Sequence, residues 1–182
     1  MNGASRHGAP HVAVVGAGAF GGWTALALLA RGARVTLIDA WGAGNPRSSS
    51  GDESRILRGI YGPDRIYIEW VARALPLWRD LERRAGVRLF VPQGALWLWS
   101  VDDAYTRASL PHLEEFGIPA EELPVAEAAR RHPAIRFDDV RTVFWEPHAG
   151  YLLARKACHV VARAVAEGGG ELRERAARPG AI

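Results

Sequence analysis

A mixed α/β fold, opened by a parallel β-α-β unit and interrupted by an inserted, partly antiparallel layer, is what three features of this 182-residue sequence predict. The first is an apolar run, residues 12–15, that leads straight into Gly16-Ala17-Gly18-Ala19-Phe20-Gly21. The second is an Ala- and Leu-rich stretch, 22–31, stopped by Gly32 and followed by a second apolar run, 35–38, that ends in Asp39. Gly32 suits the left-handed residue after a helix, and a run apolar on both sides suits a strand covered on both faces. The third is a cluster of short strand-like runs between residues 88 and 145 that breaks the strand–helix alternation of a continuing parallel sheet.

The glycines stand where a dinucleotide would need them. Gly16 permits the tight turn out of the strand, Gly18 lets backbone approach a pyrophosphate, and Gly21 lets the helix pack against the sheet. Amide groups freed at the helix start, with the positive end of its dipole, favour phosphate charge. Asp39, eighteen positions after Gly21 and at the end of the second strand, is placed to accept hydrogen bonds from ribose hydroxyls. It would repel a 2′-phosphate, which argues against NADP. The candidate cofactor-binding residues of this unit are therefore Gly16, Ala17, Gly18, Ala19, Phe20, Gly21 and Asp39. The competing reading is a β-α-β turn with glycines there by chance.

Composition is that of an ordinary globular protein, 48% apolar and 24% charged. The net charge of +3 comes almost entirely from arginines scattered among acids, without the clustering a nucleic-acid footprint needs. No apolar run approaches a membrane span, and no secretory signal is visible, so neither a nucleic-acid nor a membrane partner is expected. Residues 1–11 read as a loose tail. Cys158 is the single cysteine; the expectation is a buried thiol in a reducing, cytoplasmic setting. The six histidines are dispersed without a ligand pattern, and no metal site is expected. Neither a GxSxG elbow nor a GxxxxGK[ST] loop occurs, so any chemistry belongs to the dinucleotide.

Along the chain, residues 41–52 form a loop rich in Gly, Ser, Asn and Pro, long enough to carry function. After it come Arg55 and Arg58, which would project from one face if the segment were a helical turn, with Asp52 or Ser50 as its cap. A solvated face and a pair of guanidiniums converging on an anion both fit that spacing. Residues 64–86 carry a long amphipathic helix pattern with Pro76 as a kink, and Tyr67, Trp70 and Trp78 read as packing residues. Short strands are expected at 88–90 and 94–99, helices at 102–116 and 125–132, and a strand at 142–145. A turn at 146–150, a helix over 152–167 and a last strand at 171–176 complete the reading. The expected division is a tail at 1–11, a cofactor unit at 12–86, an insert at 87–145 and a return at 146–182.

The sequence from Val14 to Gly21, with Ala25, Gly32, Val35 and Asp39, matches the flavoprotein form of the glycine fingerprint. Ser-Ser-Ser-Gly-Asp-Glu-Ser-Arg-Ile-Leu-Arg-Gly-Ile-Tyr-Gly at 48–62 resembles the segment that follows it in FAD-dependent amine oxidases of the monomeric sarcosine oxidase type, within the wider DAO family. So do Leu77-Trp78, Gly94-Ala95-Leu96 and Trp145-Glu146-Pro147-His148-Ala149-Gly150-Tyr151-Leu152. The resemblance spans residues 12–174. It implies a Rossmann-like FAD-binding domain with an inserted substrate layer, FAD as cofactor, and oxidation of a small amine or N-methyl amino acid. Dioxygen would be the acceptor and H2O2 the product. By the same resemblance Arg58 clamps the substrate carboxylate, Arg55 lies over the flavin ring, and Ser50 and Ser54 are flavin-contacting positions. The family's second half, with its lid, flavin-side lysine and flavin-linking cysteine, has no counterpart here. The expectation is an amino-terminal portion of such an oxidase. The alternatives are an NAD-dependent dehydrogenase and a non-catalytic dinucleotide-binding subunit completed by a second chain.

Overall fold

The computed structural model describes residues 8–178 and Gly180; most of the predicted tail, His7 included, lies outside them. The chain divides into two compact units, one formed by the residues up to Arg55 with those from Leu153 onward, the other by Ile56–Leu152. The first boundary falls thirty-one residues ahead of the expected end of the cofactor unit at 86, so the long helix belongs to the inserted unit.

In the first unit, strands β1 (His11–Val15), β2 (Arg34–Asp39) and β9 (Glu171–Glu174) form a parallel sheet in the order β1-β2-β9. The sequence reading left His11 in the tail. It instead opens β1 opposite Arg34, and its ring bonds the Thr36 hydroxyl at 2.9 Å. Helix α1 (Ala19–Ala30) begins three residues ahead of the Ala/Leu stretch, because Gly18 is already extended and caps it. It ends where Gly32, at φ +85°, turns the chain and Ala33 N–H donates back to Leu28 O. Helix α5 (Ala154–Glu167) lies beside α1, and Val165 joins Ala25, Leu29, Val35 and Leu37 in one core. The two helices approach closely at Gly22, where a Cβ would stand 2.5 Å from Val161 Cγ1.

The second unit holds the inserted layer. Strands β5 (Ala95–Trp99), β7 (Thr142–Glu146) and β6 (Glu121–Leu123) form an antiparallel sheet in the order β5-β7-β6. Its two faces serve different cores, as a period of two demands. Phe144 packs with Ile60, Ile68 and Leu113, from the region of helices α2 (Arg65–Ala85) and α3 (Ala104–Glu115). Val143 packs on the other face with Leu123, Phe137 and Ala128 of α4 (Val125–Arg131). A second sheet runs β3-β8-β4, where β3 is Ser54–Leu57, β8 is Gly150–Leu153 and β4 is Phe90–Pro92.

Several expectations are corrected here. Residues 54–57 are a strand and Arg58 follows its end, so Arg55 and Arg58 share no helical turn and the helical-face argument fails. Glu146 ends β7 and Gly150 begins β8, leaving a turn of three residues, with the last helix starting at Ala154 rather than Leu152. Helix α2 runs through Pro76 as one element and is stopped by Gly86 at φ +64°. Of its aromatics, Trp78 is buried, whereas Tyr67 and Trp70 are about half exposed and stack edge-on at 5.5 Å.

Candidate cofactor and substrate site

The glycine turn is built as the spacing demands. Gly16 N–H donates to Ile38 O at 2.7 Å, closing β1 onto β2, and Gly16 takes φ +102°, a conformation L side chains rarely adopt. A Cβ on Gly21 would lie 1.8 Å from Gly16 O, so the turn and the first helical turn touch backbone to backbone. Gly18 faces Ser50: a Cβ there would stand 3.2 Å from Ser50 Oγ. Phe20 projects outward and is 89% exposed.

Asp39 ties the turn to the end of β2. Its Oδ2 accepts from Ala17 N–H at 2.9 Å; its Oδ1 accepts from Trp41 N–H at 2.9 Å and Asn45 Nδ2 at 3.2 Å. Beside it lies a cavity of about 130 Å³ lined by Ala17, Leu37, Ala43, Ala162 and Leu172. The long loop is held by Asn45, a buried residue the sequence reading did not single out. Its side chain also donates to Gly42 O at 2.8 Å and accepts from Arg47 N–H at 3.0 Å. The chain crosses itself closely there, since a Cβ on Gly51 would be 1.8 Å from Asn45 O.

This folding of the loop returns Ser50 to the start of α1, where its hydroxyl accepts from Ala19 N–H at 3.1 Å. The same loop meets α5: Cys158 Sγ lies 3.8 Å from Ser50 O, and burial raises its thiol pKa above the usual value. Gly16, Ala17, Gly18, Ala19, Phe20, Gly21, Asp39 and Ser50 are thus brought together. The turn fits a dinucleotide phosphate. Ala19 N–H already holds a hydroxyl oxygen of the kind a phosphate oxygen would replace, and a Cβ at Gly18 would intrude on the same space.

The arginines differ from one another. Arg55 is exposed and engaged within its own segment: it pairs with Asp52 at 2.9 Å and donates to Ser49 O at 2.8 Å and Ser54 O at 2.9 Å. Asp52 is accordingly held below the usual carboxylate range, first by the Arg55 hydrogen bond. Ser54 is exposed at the start of β3. Arg58 belongs to the second unit, half-buried, with its guanidinium carbon 4.3 Å from the Tyr61 ring centre and 4.8 Å from that of Trp97. It donates to Ile60 O and, among the described residues, pairs with no acid. A cavity of about 140 Å³ lies beside it, lined in part by Val71, Leu75, Phe116 and Glu146.

The fold and this turn define a dinucleotide-binding α/β protein carrying an inserted antiparallel unit. A model of the DAO family, described as FAD dependent oxidoreductase, matches residues 11–178, and the chain belongs to that family. The nicotinamide alternative is thereby set aside, because the family is FAD dependent. N-methyl-L-tryptophan oxidases of Yersinia pestis and Yersinia pseudotuberculosis are 27% identical over 156 residues. That match covers 86% of this chain and 42% of theirs, so the chain spans well under half the length of these relatives. Among solved structures, L-proline dehydrogenase from P. horikoshii superposes with a TM-score of 0.80 at 23% identity, over 92% of this chain and 44% of that one. Glycine oxidase from Bacillus cereus gives 0.69 at 19% identity, over 92% and 46%. These likenesses establish the fold.

Proposed function

We propose that this chain supplies the FAD-binding turn and part of the substrate site of an amine or amino-acid oxidase of the sarcosine oxidase type. The observation that carries the reading is Arg58, a guanidinium fixed over two aromatic faces that forms no ion pair with an acid among the described residues. Such a group is preorganised for a ligand carboxylate, which it can grip through two parallel N–H bonds. The relatives named as oxidases of an N-methyl amino acid and of glycine support a carboxylate-bearing amine as substrate.

FAD, when bound, supplies the acceptor for the two electrons and the hydrogen leaving the carbon beside the amine nitrogen, with dioxygen taking them on as H2O2. The amides at the head of α1 would face its phosphates, Gly18 and Ser50 would admit them, and Asp39 would turn toward the ribose. Arg55, freed from Asp52, would add positive charge near the flavin ring, and Ser54 would line the same approach. Among the described residues β1 is paired on one side only, and with Val15 67% exposed this favours a further strand there, from the same polypeptide or a second one.

The test is to purify the chain with added FAD, measure retained flavin absorbance, and repeat with Gly18→Val. The native sequence should retain flavin and the variant should lose it; equal flavin in both would overturn the assignment of the turn. Peroxide release is then compared between an N-methyl amino acid and the same amine without its carboxylate, in a polypeptide that includes this chain. Preference for the carboxylate-bearing amine is expected, and indifference would remove the clamp.

A further inference from the structure

Glu146 is an anomaly in its strand. Phe144 and Glu146 share a face of β7, and that face otherwise builds an apolar core with Ile60, Ile68 and Leu113. Glu146 is only 1% exposed, a position where a carboxylate is costly unless its oxygens are bonded. Both oxygens are met by donors. Oε2 accepts from Gly59 N–H at 2.6 Å, and Oε1 accepts from Trp97 Nε1–H at 2.6 Å and from Ile60 N–H at 3.4 Å. The register explains the indole contact: Trp97 pairs with Phe144 and Ala95 with Glu146, so Trp97 is the diagonal neighbour of Glu146 on one face. Gly59 has no room for a side chain, since a Cβ would stand 2.8 Å from Leu113 and 3.1 Å from Glu146 Oε2.

These three donors surround Arg58. Gly59 and Ile60 are the next two residues, Ile60 O receives an Arg58 hydrogen bond, and the Trp97 indole is one of the two rings beneath its guanidinium. We propose that Glu146 is the positioning residue for Arg58: its carboxylate fixes both the backbone that follows the arginine and the ring that carries its charge. Only a carboxylate serves, because a carboxylate presents acceptors at both oxygens whereas a glutamine would set its NH2 against one of these N–H groups. The inference rests on Arg58 as the substrate clamp for its functional meaning, but its geometry is separately measurable.

The experiment uses the full 182-residue chain with FAD added, labelled with 15N, and follows the Arg58 Nε–H, the Gly59 amide and the Trp97 indole N–H by NMR. In the unmutated chain the Gly59 amide and Trp97 indole should exchange slowly, and Arg58 Nε–H should carry a ring-current shift from Tyr61 and Trp97. Glu146→Gln should move Arg58 Nε–H toward its unstructured position and speed exchange at Gly59 or Trp97 by about tenfold or more. A variant that melts earlier but leaves the Arg58 signal in place would overturn the proposal, since Glu146 would then be merely structural. Should Glu146→Gln fail to fold, Glu146→Asp keeps the charge and shortens the reach, and it should shift the same signals by less. Rapid exchange of the Gly59 amide in the unmutated chain would overturn the proposal without any variant. Arg58→Ala, read through KM for a carboxylate-bearing amine, separates the two ideas: an unchanged KM removes the clamp and leaves the positioning result standing.

Discussion

Glu82 illustrates how single carboxylates hold this chain together. On α2 and half-buried, it accepts from Leu89 N–H at 2.5 Å and from Phe90 N–H at 2.8 Å, anchoring the start of β4 to the helix. Burial alone would raise its pKa, but the two amides and the nearby Arg88 and Arg79 outweigh it, and the net direction is downward from the ordinary 4.5. A lowered folded-state pKa means stability that is fully present above the unfolded value and is lost as pH falls through the folded one. Resistance to urea should therefore fall from about pH 5 downward. Glu82→Gln, which keeps one oxygen to accept both amides but cannot titrate, should flatten part of that acid slope. An identical slope in the variant would show that Glu82 takes no part in it. Asp39 and Glu146 also each order a segment by accepting backbone N–H groups.

Among the elements, the α1–α5 contact is the tightest constraint on the cofactor unit. Gly22 is buried and its absent Cβ would fall 2.5 Å from Val161 Cγ1, on a β-branched side chain that is 1% exposed and stiff at χ1. Alanine would gain about 1 kcal/mol in helix propensity. Overpacking against Val161 would cost about 1–3 kcal/mol, so the net change at Gly22→Ala is destabilising. Chemical denaturation should register a lower midpoint, and Val161→Ala in the same chain should recover part of it. A higher midpoint for Gly22→Ala would mean the helices do not approach as closely as described. The arginine segment teaches a different lesson. The spacing of Arg55 and Arg58 admits a helical face only if the segment is helical, and the strand pairing of β3 decides otherwise.

For the whole molecule, the division into two units distributes the candidate chemistry. The glycine turn, Asp39 and Ser50 lie in the first unit and Arg58 with Glu146 in the second. A ligand bound only to the first unit should stabilise that unit by mass action, by about 2.7 kcal/mol at a hundred times its Kd. Hydrogen exchange with saturating FAD should slow the amides of β1 and β2 more than those of β5 and β7. Equal protection of both sheets, or none, would contradict a cofactor site confined to the glycine turn.

The glycine turn was legible in the sequence because its requirements are local. A φ of +102° at Gly16, a missing Cβ at Gly18 and Gly21, and an acid one helix and one strand later are all set by spacing along the chain. The resemblance at 48–62 added the flavin assignment, and the family match bears out the FAD dependence. What the sequence could not reveal depends on residues far apart in it. Glu146 read as part of a turn, because nothing in Trp-Glu-Pro-His marks a buried acceptor; its donors come from residues 59, 60 and 97. Asn45 read as loop composition until the crossing of 45 and 51 made it the loop's brace. Tyr67 and Trp70 read as core, yet burial depends on what packs against a helix face, and here that face is open. Periodicity and glycine placement therefore determined the fold class and the conformation of the glycine turn, both products of short-range sterics. The tertiary structure alone decided which charges lie buried, which carboxylate holds which segment, and that Arg58 forms no ion pair among the described residues, because those outcomes arise from contacts between distant parts of the chain.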